Sequence, residues 1–299
     1  MPVAIDINHL MHQQDAEGEF FRHIAEQGHY AGRTRPSSTR QGLYVTGVDG
    51  DLVGSINSTR ADDVVKLLRR GAARWDESSA DKPFRRSNKS DSRYVVSFPE
   101  GGMILRETMR DLPSASNSRR KFDRHNFDHV WLTAEEKKNF MPSRLSVGHS
   151  WSISESTVKS LAAYHTIDQV RGEATPFSME QVKEAVLSAE VVAVKGHRAL
   201  VKLTGKIRNV KTPTGQRNPF NGYKVEQNIS NNLKLRGWLI YDSAKKDFGS
   251  FRLLAAGQRS GSDVYNFRWD DRGPARIGFA FEMLEDIPSN RVRPKYLNQ

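Results

Sequence analysis

Residues 185–206 read AVLSAEVVAVKGHRALVKLTGK. Two runs rich in Val, Leu and Ala stand either side of Lys195-Gly196, a pair that supplies a hairpin turn. They give strand candidates at 185–194 and 198–206. Further candidates fall at 219–228, 233–241, 249–257 and 276–284, with Ser243–Lys246 as a second turn. One helix precedes them. Ser154 or Ser156 can cap it, it runs to about His165, and Val158, Leu161 and Ala162 form its buried stripe. Several short strands at this spacing predict an antiparallel β-barrel or sandwich over residues 149–299.

Upstream the pattern changes. Residues 2–6 (PVAID) read as a short buried strand. Residues 15–27 read as a helix, with Phe20, Phe21, Ile24 and Ala25 at helical spacing and Asp15 and Glu17 near its positive end. In GLYVTGVDGDLVGSIN, residues 42–57, two apolar runs flank Asp49-Gly50, a pair favoured in type I′ hairpins. Thr59 caps the next helix, with Asp62 three residues on, and Val64, Val65, Leu67, Leu68, Ala72 and Trp75 form its stripe. Residues 76–148 hold a polar linker at 76–93, two strands around a turn at 94–105, a polar stretch at 112–126, a strand at 128–133 and a short helix at 134–140. The expected class is α+β, divided into 1–75, 76–148 and 149–299.

The strand–helix–hairpin–helix order of residues 1–75 resembles the C-terminal half of a thioredoxin-like domain. The resemblance implies that the cysteine motif would lie before residue 1. The position that is usually a cis-proline falls near Arg40 or Gln41. A partner for the edge at residues 2–6 would also be missing, so a second subunit or an upstream segment is expected to pair there. The layout as a whole, with DQVRGE and RWDDRGPARIGF in the β-rich part, is similar to a group of bacterial proteins to which no activity is attached. Members with thioredoxin-like parts are often extracytoplasmic. Met1–Asp6 lacks the basic start of a signal peptide, so the chain as given is expected in the cytoplasm unless an upstream segment has been lost.

The chain of 299 residues contains no cysteine. That excludes thiol–disulfide exchange, thiolate metal sites and disulfides together. No stretch approaches the roughly 20 apolar residues that span a bilayer as a helix. The formal charge is +11. Residues 1–75 are balanced, whereas residues 149–299 carry 23 basic and 15 acidic side chains. Such an excess attracts polyanions: nucleic acid, acidic polysaccharide or anionic lipid.

Three clusters could carry chemistry. In RHNFDH, residues 124–129, His125 and His129 with Asp128 are candidate ligands for a divalent metal, and His149 or His165 could join them. The plainer reading is a loop leading into a strand. In DQVRGE, Asp168, Arg171 and Glu173 could hold an anionic ligand; a structural fork that fixes the loop is the alternative. In RWDDRGP, Arg268 and Asp270 could contribute to a binding loop, and turn formation competes with that role. Phosphate-binding glycine loops and Gly-x-Ser-x-Gly elbows are absent from the sequence. Trp131, Trp151, Trp238 and Trp269 could stack on sugars or bases if exposed, but Trp238 in LRGWLIYD is expected in the core. The leading expectation is a redox-inert binding or assembly module using the loops at 168–176 and 258–274. A histidine-based metal-dependent enzyme and a polyanion binder are the alternatives.

Overall fold

The computed structural model describes residues 5–30, 40–47, 49–74, 96–113, 125–219 and 221–297. The chain divides into two compact units: Met1–Phe98 with Asp286–Arg293, and Pro99–Glu285 with Pro294–Gln299.

The first unit contains helices α1 (Ile7–His12) and α2 (Ala16–Gln27), the hairpin β1 (Leu43–Thr46) and β2 (Leu52–Ile56), and helix α3 (Ala61–Arg74). Asp15 caps α2 by accepting from the amides of Glu17 and Gly18. Arg22 on α2 donates to the carbonyls of Leu10, Met11 and Gln13, which ties the end of α1 to α2. The α1 turn was not expected from the sequence. Residues 2–4 of the expected 2–6 strand lie outside the described residues, and Ile5 and Asp6 belong to no strand. The start of α3 differs too: Ser58, not Thr59, holds it, accepting from the Arg60 amide and donating to Asp63. Leu67 is the buried hydrophobic side chain of α3, while Val65 and Leu68 are exposed. The linker at 76–93 and Trp75 lie outside the described residues.

The second unit is built on strands β3 (Met103–Asp111), β4 (His125–Leu132), β5 (Ser150–Ser152), β6 (Val182–Lys195), β7 (Arg198–Lys211), β8 (Ile229–Asp242), β9 (Asp247–Ser260) and β10 (Ala275–Met283). Among the described residues its α-helices are α4 (Ala134–Lys138) and α5 (Glu155–His165). The strands form one sheet in the order β4-β3-β10-β9-β8-β7-β6-β5, and every pairing is antiparallel. Gly196-His197 turns β6 into β7, and Ser243–Lys246 turns β8 into β9 with Lys246 at φ 53°.

The expected barrel or sandwich is not what the strands make. β4 and β5 are the ends of the sheet, and no pairing joins them among the described residues. The covered face packs on α5 instead of a second sheet: Val158, Leu161 and Ala162 join Leu187, Leu203, Leu235, Phe251 and Phe281 in one core. Burying each such Leu or Phe contributes about 1.5–3 kcal/mol. Among the described residues of 219–228 no strand of the expected kind forms. Asn-Pro at 218–219 and Asn-Gly at 221–222 bend that segment back on itself, with Asn218 donating to the Tyr223 carbonyl and Gly222 to that of Asn218. Among the described residues no helix is long and apolar enough to cross a membrane.

Candidate functional site

The two loops singled out from the sequence, 168–176 and 258–274, meet. Asp168 and Arg171 leave the end of α5, Arg259 ends β9, Arg268 and Asp271 sit in the loop before β10, and Asp111 ends β3. The fully buried Arg268 grips Asp168 through Nε and Nη2 at 2.8 Å each. It grips Asp111 through Nη1 and Nη2 at 2.9 and 2.7 Å, and reaches Asp271 at 3.3 Å. Arg171 donates to Asp111 and Asp271 at 3.0 and 2.9 Å, and Arg259 donates to Asp271. Close approach of the loops depends on Gly172, where a Cβ would collide with the Tyr265 carbonyl and the Phe267 ring.

Electrostatics follow from that packing. Burial would raise the Asp111 carboxyl, but Arg268 and Arg171 outweigh it and hold the group below the ordinary carboxylate range. Burial opposes the charge of Arg268 as well, yet Asp168 and Asp111 keep it more firmly protonated than a free arginine. Three guanidinium groups face three partly buried carboxylates, Asp111, Asp168 and Asp271, so the cluster is internally neutral. Its chemical capacity is that of a clasp: all five N–H groups of Arg268 are committed within it. Asp270 lies on the rim, 63% exposed and 3.8 Å from Arg171. Glu173 is exposed and pairs with Lys295 at 3.1 Å.

The histidines do not gather into a ligand set. His125 and His129 share β4, and four residues along a strand span roughly 13 Å, too far for one metal ion. Asp128 points to the other face, where it accepts from the amides of His129 and Lys295. His149 stacks on Trp151 and bonds Ser143. Among the described residues no group of three or more His, Asp or Glu side chains could hold a metal ion.

His165 instead meets a partner that sequence reasoning missed. Its Nδ1 lies 3.5 Å from Oε2 of Glu107, and both side chains are buried. Burial, then the Asp128 charge, pushes the Glu107 carboxyl well above its ordinary value. Burial lowers His165 to about 3. Burial thus favours the uncharged form of each group. Nearby, Asn209 and Asn231 reach across from the sheet to donate to the Ala162 and Thr166 carbonyls, closing the C-terminal end of α5. A cavity beside Asn231 and Arg259 has about 20 Å³ of open space. That is room for a water molecule and far below the several hundred Å³ of a substrate pocket.

The open face of the sheet is the larger feature. Register fixes its rows across the strands. One row runs Glu190, Lys202, Trp238, Arg252, Glu282, Arg106. The next runs Ser188, Thr204, Arg236, Leu254, Ala280, Thr108. A third runs Val186, Lys206, Lys234, Ala256, Gly278, Arg110, and a fourth Glu184, Arg208, Asn232, Gln258, Arg276. The four rows hold nine cations against three carboxylates. Lys206 pairs with Glu184 and Arg252 with Glu282. The rows span about 20–25 Å across the strands. Trp238, expected in the core, is 49% exposed here. The signal that could have revealed it is the period of two: Leu235, Leu239 and Tyr241 point inward, so Trp238 and Ile240 point outward.

Comparison with protein-family models, curated proteins and solved structures finds no match to the chain.

Proposed function

We propose that the second unit is a non-enzymatic polyanion-binding module and that the open face of its sheet is the binding surface. The observation that carries this reading is the excess of nine cations over three carboxylates on one regular, exposed face. Phosphate or sulfate groups brought to that face would displace counterions and relieve repulsion among the cations. On this reading the first unit, with its thioredoxin-like resemblance, is redox-inert, because a thiolate is lacking.

Binding of heparin and of a single-stranded oligonucleotide, measured across a salt series, tests the proposal. Affinity is expected to fall steeply with salt, and Lys234→Glu with Arg236→Glu to weaken it more than about tenfold. Weak, salt-insensitive binding that the charge reversals leave unchanged would overturn it. Ligand contact by the loops at 168–176 and 258–274 is the second reading, favoured by the rim position of Asp270. It predicts that Asp270→Ala and Glu173→Ala lose affinity; the sheet-face reading predicts that they do not.

A further inference from the structure

We infer that the polyanion is the surface of an anionic lipid bilayer, on which the open face lies with Trp238, Ile240 and Leu254 inserted among the headgroups. The inference rests on the polyanion reading and adds a source to it. Trp238 and Ile240 are successive outward positions on β8, and Leu254 on β9 is the diagonal neighbour of Trp238. They are 49%, 37% and 57% exposed. Isolated exposed apolar side chains are ordinary on protein surfaces, but these three adjoin where the cationic rows begin: Trp238 and Leu254 lie within the first two rows, and Ile240, between Leu200 and Ser250, lies just beyond them. Lys202 and Arg252 flank Trp238 directly across the strands, and Arg236 lies opposite Leu254.

The mixture distinguishes the possible anions. A phosphate chain or sulfated sugar satisfies the cations and leaves Leu254 and Ile240 in water. Nucleic acid offers flat base faces, which suit Trp238 and give little to two aliphatic chains. A bilayer interface satisfies all of them together. Lysine and arginine meet the anionic headgroups, at about 1 kcal/mol each near the surface, while Trp sits at the interface and the aliphatic tips reach the acyl boundary. Neither charge nor so small an apolar patch would anchor the protein alone, and together they supply the two signals that stable surface attachment requires.

The test is co-sedimentation of the full chain with phosphatidylglycerol–phosphatidylcholine vesicles and with phosphatidylcholine vesicles, alongside heparin and oligonucleotide binding. Binding to the anionic vesicles only is expected. Trp238→Ser with Leu254→Ser should lower vesicle affinity by about tenfold or more and leave heparin affinity unchanged. Lys234→Glu with Arg236→Glu should lower both. These positions are on the open face, and an unchanged circular dichroism melt shows that each variant is folded. Heparin or oligonucleotide binding without vesicle binding would overturn the lipid inference and leave the polyanion reading standing. So would a Trp238→Ser variant that loses oligonucleotide binding and keeps vesicle binding intact. Failure to bind any of these ligands would overturn both.

Discussion

Arg268 has five N–H groups, and each has a carboxylate oxygen to meet. Removing one side of a buried ion pair leaves the other side uncompensated, which costs far more than the pair's net worth. Arg268→Met is therefore expected to destabilise the protein by about 3–5 kcal/mol in urea unfolding. Adding Asp168→Asn alone to that variant should restore part of the loss, since Arg171 and Arg259 then face two carboxylates, Asp111 and Asp271. The Glu107–His165 pair makes a prediction of the opposite electrostatic kind, because neutrality is what burial enforces there. With its pKa raised above 4.5 in the fold, Glu107 keeps its proton to higher pH than the unfolded chain does. Its contribution is complete below about pH 4.5 and is lost as pH rises toward the folded value. His165, lowered to about 3, contributes in full above about pH 6.5 and loses that contribution as pH falls toward 3. Glu107→Gln keeps a neutral polar group and removes the alkaline loss. Its urea midpoint should gain on that of the wild type as pH rises from about 5 to 8, by up to about 1.4 kcal/mol per unit. Parallel pH profiles would show that Glu107 is ionised in the fold.

At the scale of elements, the long strands make demands on single positions. Gly237 lies on β8 opposite Leu253, and a Cβ there would stand 2.5 Å from the Arg252 carbonyl on β9. The backbone of one strand would have to move. Gly237→Ala is expected to lose about 1–3 kcal/mol and to lower the melting temperature, although alanine is the smallest side chain that could be added. Much of the strand content is legible in the sequence because the apolar runs at 185–206 and 233–257 bracket recognisable turns. The segment 219–228 misleads because its Val and aromatic residues outweigh two turn pairs. The start of β8 is hidden because Asn231 and Asn232 look like loop residues, yet Asn231 is turned inward to close the end of α5. The histidine pair misleads for a different reason. Spacing in sequence puts both on one side of a strand but cannot bring them within the reach of one ion.

The whole molecule separates what a sequence reveals from what only a fold assembles. Net charge is evident from composition, but its concentration on one face depends on register among β3, β10, β9, β8, β7 and β6. The two loops can each be picked out by their Asp and Arg content. That they neutralise one another, and take Asp111 and Arg259 as well, depends on contacts between distant parts of the chain. The hydrogen bonds from Arg268 to Asp111 connect positions 157 residues apart. During synthesis, Asp111 and Asp168 emerge from the ribosome before Arg268, the side chain that bridges them. The clasp can close only after the loop carrying Arg268 has been translated. A chain that ends ahead of that loop keeps Arg171 for Asp111 and Arg259 for Asp168, but it lacks the one side chain that ties the two carboxylates to each other.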